Sequence, residues 1–324
     1  MNILVVRNDK LGDFITALPA LYVLKHHSPD NRIIVLVAPL NRKLAESCDF
    51  IDEVIVDSGE DILGLAFKIK QAHIDASITL FSNTRVAIAQ FLARIPIRIA
   101  PATKIAQIFY NRRITQRRSE VKMAEFEYNL ELTKALFKDI KLDFPKPLLH
   151  FEDDIFQAFC EEFTITKPVV AFHPGFGGSS DANWTLEEYI ELVDIACEND
   201  TYDVVMTFGP DESKLYERAK ELLGESSVIV LYLSRGSVVD FAALISKFKL
   251  FVSTSTGTYH LASAGGCETF TFFGNSRFAS VARWKGIGDG ALQHPFMIPT
   301  DSQGRAQMLV RVKRELKSHL LAIS

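Results

Sequence analysis

Short apolar segments alternate with helical patterns along the whole chain, and this alternation restricts the fold more than any other feature. In the first half, strand candidates fall at residues 3–6, 33–37, 53–56, 76–80 and 95–99, and a longer helix is expected over 123–137. Nearly unbroken apolar strands separated by helices predict a doubly wound, parallel α/β sheet. The rhythm stops over 140–167, where Pro145 and Pro147 sit among charged residues. It then restarts, with strands expected at 169–172, 204–208, 228–231, 250–253 and 269–273. A chain of 324 residues exceeds what one hydrophobic core usually organises. Two Rossmann-like domains are therefore expected, over 1–160 and 161–324, with a cleft between them and a final helix over 303–321 packing back on the first. Thr185 followed by Glu188 predicts a capping box for a helix over 186–197.

Charge divides unevenly between these halves. Residues 1–150 carry 21 Lys and Arg against 17 Asp and Glu, whereas the remainder carries 15 against 23. Much of the basic excess lies in Arg94, Arg98, Lys104, Arg112, Arg113, Arg117, Arg118 and Lys122, interrupted only by Glu120. Such a cluster reads either as a solvated face or as the footprint of an anionic partner. Nucleic acid fits poorly, because no recognition-helix, zinc-finger or RNA-binding aromatic signature accompanies it. Cys48, Cys160, Cys197 and Cys267 lack metal-ligand or redox spacing, so reduced thiols in a cytoplasmic protein are expected. No apolar run approaches the roughly 20 residues of a membrane span, and no signal peptide is expected.

Ligands of open α/β sheets bind beyond the carboxyl ends of the strands, so the loops there hold the candidate residues. After the first strand come Arg7-Asn8-Asp9-Lys10-Leu11-Gly12-Asp13. Asp13 is either a catalytic carboxylate or the N-cap of a helix beginning at Phe14. In the second half His173-Pro174-Gly175-Phe176-Gly177-Gly178-Ser179 follows a strand directly. It lacks the lysine of a P-loop, but its backbone N–H groups can form an anion-binding nest; a purely structural turn is the alternative. Ser255, Thr256, Gly257 and His260 open a helix after another strand, where unpaired N–H donors suit diphosphate, although Ser and Thr serve equally as simple caps. Glu212 ends a third strand and is either a ribose-binding carboxylate or a helix cap. A nicotinamide oxidoreductase would need a Gly-x-Gly-x-x-Gly loop, and the first loop holds only Gly12.

Taken together these residues resemble glycosyltransferase family 9, the heptosyltransferases of lipopolysaccharide core assembly. The resemblance spans nearly the whole chain: residues 3–7 with Leu11-Gly12-Asp13 and 16–21, His173-Pro174-Gly175 with Trp184, Gly209-Pro210 with Glu212, and Thr256-Gly257 with His260-Leu261-Ala262. It implies a GT-B fold with an acceptor domain, then a nucleotide-sugar domain, and an inverting transfer without metal or other cofactor. By that similarity Asp13 is the general base. Gly175, Gly177, Ser179, Glu212, Ser255, Thr256, Gly257 and His260 hold an ADP-heptose donor. Arg7, Gly12, Arg94, Arg98, Arg112 and Arg113 meet an anionic, lipid-linked core oligosaccharide, with peripheral contact at the inner membrane. No metal ligands are expected. Two positions depart from the family pattern: Ser255 stands where Asp is common, and Ala182 where Lys is common. These departures keep open a different nucleotide sugar, and beyond it a glycan-binding protein without catalysis.

Overall fold

A computed structural model of the chain describes residues 1–103, 105–176, 183–198, 200–224 and 228–323. The chain divides into two units between Leu148 and Leu149. The first holds the parallel strands β1 (Asn2–Arg7), β2 (Arg32–Val37), β3 (Glu53–Val56), β4 (Ala76–Thr79), β5 (Ile97–Pro101) and β6 (Arg112–Ile114), ordered β3-β2-β1-β4-β5-β6. The second holds β7 (Val169–His173), β8 (Asp203–Phe208), β9 (Ile229–Leu233), β10 (Leu250–Thr254), β11 (Glu268–Gly274) and β12 (Gln293–Ile298), ordered β12-β11-β10-β7-β8-β9. Counted within its own unit, each sheet has the doubly wound order 3-2-1-4-5-6. The winding therefore reverses between β1 and β4 in one unit and between β7 and β10 in the other. At such a reversal the neighbouring loops diverge and leave a crevice at the carboxyl ends of the strands.

Central strands are apolar because helices cover both sheet faces. Ile3, Leu4, Val5 and Val6 of β1, and Leu250, Phe251 and Val252 of β10, are all fully buried. All ten predicted strands are present with shifted ends, and the two that were not predicted, β6 and β12, lie at sheet edges. Both hide their pattern for a physical reason: β6 reads Arg-Arg-Ile with its arginines exposed, and β12 carries Pro295, which an edge strand tolerates. The expected single helix after β1 is two helices, Leu11–Ile15 and Leu18–His27, with Pro19 in the first turn of the second.

Two organisational expectations change. A boundary at residue 160 would cut the helix Asp154–Phe163, which belongs to the second unit because Phe159 packs there, 5.3 Å from the Tyr232 ring and 6.0 Å from Phe248. The last helix, Ser302–Ala322, buries Val312, Leu316 and Leu320 in the second unit's own core rather than directing that apolar stripe to the first. Tyr202 donates to the Leu320 carbonyl at 2.9 Å, and Lys317 pairs at 2.6 Å with Glu198, the C-cap of the helix Leu186–Cys197. The capping box on that helix is present, with Thr185 Oγ1 accepting from Glu188 N at 3.1 Å. Leu316→Ala should remove a fully buried side chain and lower the stability of the second unit by about 2–5 kcal/mol, read by urea denaturation.

Candidate active site

Arg7 is the last residue of β1 and is only 1% exposed. A buried guanidinium is costly unless charged partners surround it. Three carboxylates do so: Asp9 Oδ1 at 2.9 Å from Nε, Glu125 Oε1 at 3.3 Å from Nη1, and Asp13 Oδ1 on Nη2. Burial disfavours the charge on Arg7, but the carboxylates outweigh it and raise its pKa above the ordinary guanidinium value. Glu125, at the start of the helix Glu125–Thr133, is itself buried and also pairs with Arg118. Arg118 continues to Asn129 Oδ1 at 3.3 Å, and Asn129 donates to the Thr16 carbonyl at 3.1 Å. Phe81, after β4, lies with its ring centroid 5.7 Å from the Arg7 guanidinium. Two guanidinium groups thus face three carboxylates at the β1–β4 reversal.

Asp13 does not cap its helix. The helix Leu11–Ile15 has Lys10 at the N-cap, so Gly12 and Asp13 lie within its first turn and the Asp13 carboxylate turns to Arg7. Its side chain is 20% exposed, and Oδ2 has no partner among the described residues. Asp9 behaves differently, because burial, reinforced by repulsion from Asp13, exceeds the pull of Arg7 and pushes its pKa up to about 6.

Of the basic segment, only part reaches this end of the sheet. Arg94 precedes β5, at the amino end of the strands, and Arg98 is turned inward, with Nε on the Phe109 carbonyl at 2.8 Å and Nη1 on that of Ile95. These carbonyl contacts take two of the five N–H groups of the Arg98 guanidinium. Arg112 donates to the Ala135 carbonyl at 2.9 Å, while Arg113 stays exposed on β6. Beyond β6, a cavity of about 410 Å³ is lined by Gln116, Arg117, Glu120, Lys122, Met123 and Tyr128. Lys104 lies outside the described residues.

In the second unit the carboxyl ends of β7, β8 and β10 converge. Glu212 sits at the N-cap of the helix Ser213–Leu223, yet its side chain turns back, accepting from Gly209 N at 2.7 Å. It lies directly over Gly175, where an added Cβ would fall 1.9 Å from Glu212 Oε1. A side chain at this position would have to push the Glu212 carboxylate aside. Gly175, Phe176, Gly209, Pro210, Glu212 and Lys214 line a cavity of about 410 Å³. Beneath it His173 is buried and bonded to Thr207 Oγ1 at 3.0 Å, and burial lowers its pKa, so the ring is neutral.

The helix Gly257–Ala264 starts after β10 with Thr256 at its N-cap. Thr256 Oγ1 makes no cap bond; it lies 2.9 Å from Thr258 Oγ1, so it leaves the first N–H groups open. His260, in this first turn, is 2% exposed, and burial pushes its pKa down to about 4. The imidazole is neutral near pH 7, and its buried Nδ1 has no hydrogen-bond partner among the described residues. Ser255 is half-buried and its N–H donates to Phe272 O at 2.8 Å. Tyr189, Asn183 and Thr254 form a polar web below the two loops, with Tyr189 Oη 3.1 Å from Thr254 Oγ1 and Asn183 Nδ2 on the Pro174 carbonyl at 2.9 Å. Sequence reasoning missed this web, along with Glu125 and Asn129, because their partners are distant along the chain, and it passed over Asp9 although Arg7 is its near neighbour in sequence. Gly177, Ser179 and Ala182 lie outside the described residues.

Two wound sheets, each with polar groups gathered at its own reversal, match the GT-B class of glycosyltransferases. The solved E. coli ADP-heptose lps heptosyltransferase II has this fold, with TM-score 0.82, 19% identity and 99% of each chain covered. The model of glycosyltransferase family 9 (heptosyltransferase) matches residues 62–291, and the chain belongs to that family. A Haemophilus influenzae protein with a provisional glycosyltransferase name is 37% identical, covering 94% of this chain and 92% of that one. The lipooligosaccharide heptosyltransferase 2 of Campylobacter jejuni subsp. jejuni serotype O:2 is 23% identical, over 85% of this chain and 81% of its own length.

Two outcomes are expected from this geometry. Gly175→Ala should displace the Glu212 carboxylate from Gly209 N and lower stability by about 1.5–3 kcal/mol in urea denaturation, the scale of one lost hydrogen bond to a charged group. Asp9 has a folded pKa of about 6 against an ordinary 3.8, so its contribution to stability is complete below the lower value and lost as pH rises through the higher. Urea denaturation should therefore find Asp9→Asn gaining on the wild type between about pH 4 and pH 8.

Proposed function

We propose that the protein transfers a heptose from ADP-heptose to an anionic, lipid-linked core oligosaccharide, with inversion and without metal, and that Asp13 is the general base. The carrying observation is the Asp13 carboxylate itself: one oxygen is held by the buried Arg7, and the other is open among the described residues. A base needs one oxygen free within hydrogen-bond reach of the hydroxyl it deprotonates. Arg7 keeps the carboxylate aimed, and the acceptor oxygen attacks the anomeric carbon as its proton passes to Oδ2.

The diphosphate leaves with growing negative charge. Open N–H groups at Thr256 and Gly257 meet that charge with fixed dipoles, which need no reorganisation as the bond breaks. Neutral His260 fits the same role as a hydrogen-bond partner rather than a cation. Glu212 Oε1 has no partner among the described residues and suits a ribose diol, whose two hydroxyls both donate. Phosphorylated acceptor sugars match Arg113, Arg117 and Lys122 at and beyond β6.

Peripheral membrane contact suits a lipid-linked acceptor. Among the described residues no helix is long and apolar enough to cross a membrane. The helix Thr84–Leu92 and the turn Ile105–Phe109 expose Phe91 at 50%, Ile105 at 77% and Ile108 at 66%, with Arg94 nearby in sequence. Apolar groups mixed with cations are the composition of an interfacial surface on anionic lipid.

Asp13→Asn should lower turnover by about a hundred- to ten-thousandfold while ADP affinity stays within about twofold. Retained turnover in that variant would remove Asp13 from the role. Thermal shifts larger with UDP or GDP than with ADP would instead redirect the donor, which Ser255 leaves less constrained.

A further inference from the structure

A second cluster of chemistry-bearing side chains lies at the amino edge of the second sheet, where the transfer reaction has no use for it. Glu268 begins β11, His294 is the second residue of β12, and His319 comes from the last turns of the helix Ser302–Ala322. The loops carrying Gly175, Thr256 and Gly257 are at the opposite, carboxyl ends of the strands. His294 Nε2 is 2.8 Å and His319 Nε2 2.9 Å from the same oxygen, Glu268 Oε1. One oxygen and two imidazole nitrogens from three elements thus lie within 4.8 Å of one another.

A simple pair of hydrogen bonds does not account for this arrangement. His319 Nε2 is close to the carboxylate but outside hydrogen-bonding geometry, and it is buried with no hydrogen-bond partner. The rings are held in place, 4.6 Å apart by centroid, with Phe270 packed 4.9 Å from His294 and 5.1 Å from His319. A buried nitrogen aimed at a shared centre beside a carboxylate is what a cation would satisfy.

We propose that Glu268, His294 and His319 form a binding site for a divalent transition metal, zinc by preference, which joins the C-terminal helix to the edge of the second sheet. Two imidazoles and one carboxylate are borderline donors that suit zinc, whereas magnesium and calcium prefer all-oxygen sets. Zinc bonds of about 2.0–2.2 Å place tetrahedral ligand atoms about 3.3 Å apart, so the Glu268 carboxylate must withdraw by a few tenths of an ångström. The His294 side chain is 30% exposed, which leaves a fourth position to water. Neutral imidazole is the ligating form, and burial keeps the His319 pKa below its ordinary value. Lys249 is a like charge felt at His319 and favours modest affinity. The expectation of no metal ligands rested on spacing along the chain, and these three residues are brought together only by the fold.

The test uses the full chain, dialysed against low micromolar zinc chloride and analysed by plasma mass spectrometry for bound metal. Expected are one zinc per chain, a rise in Tm of about 5 °C at roughly hundredfold excess over Kd, and no shift with magnesium. Both signals should vanish in His294→Gln and in His319→Gln, with apo Tm and circular dichroism confirming folding. Should His319→Gln not fold, the more exposed His294→Gln decides alone. Stripping zinc should leave sugar transfer unchanged. Zinc absent from the wild type, or bound equally by the His294 variant through other surface histidines, overturns the site.

Discussion

One buried cation organises the first unit. Arg7 ends a strand whose other inward positions are apolar, so its guanidinium reaches the β1–β4 reversal without access to water. Such a charge persists only if carboxylates are drawn to it, and they arrive from three places in the sequence: Asp9 in the following loop, Asp13 in the next helix turn, and Glu125 from a helix far along the chain. Glu125 then recruits Arg118, and Arg118 reaches Asn129, which ties down Thr16 just after the short helix that bears Asp13. Breaking a buried set of this kind by removing one partner typically costs about 3–5 kcal/mol, so the loop after β1 has little freedom to rearrange. The aim of the Asp13 carboxylate follows from that rigidity.

The second unit solves the complementary problem with dipoles rather than charges. Its two candidate histidines are both buried and both neutral, His173 beneath the glycine turn and His260 in the first turn of a helix. Burial makes protonation unfavourable, so neither adds a cation near physiological pH. What remains is backbone: N–H groups at Thr256 and Gly257, and a turn at Gly175 narrow enough that Glu212 rests on it. The histidines of this site add little pH dependence over the neutral range, because burial keeps both of them neutral there.

Much of the fold was legible because central parallel strands must be apolar on both faces, and that demand shows in the sequence at β1, β2, β7 and β10. Edge strands escape the demand, which is why the exposed arginines of β6 and the Pro295 of β12 concealed them. Asp13 could be singled out from its place after the first strand, but its reading as an N-cap could be set aside only by the helix starting at Leu11 instead of Phe14. Arg98 shows a different limit: counting charge along the chain offered it as a ligand for anions but could not reveal that the Phe109 and Ile95 carbonyls take two of its five N–H groups. The Glu268, His294 and His319 cluster was invisible for a third reason: no local spacing links a strand start, a neighbouring edge strand and a terminal helix.

The shared 3-2-1-4-5-6 order has an evolutionary consequence. Each unit generates its own crevice from its own strand reversal, so under the proposed function the residues that would recognise one substrate are supported by strands that take no part in recognising the other. On that proposal, substitutions at positions such as Ser255 would alter which sugar nucleotide is preferred without disturbing the Arg7 cluster, and the loops beyond β6 would follow a changing glycan while the glycine turn stays as it is. A scaffold built this way lets a lineage diversify its two specificities separately, one side at a time.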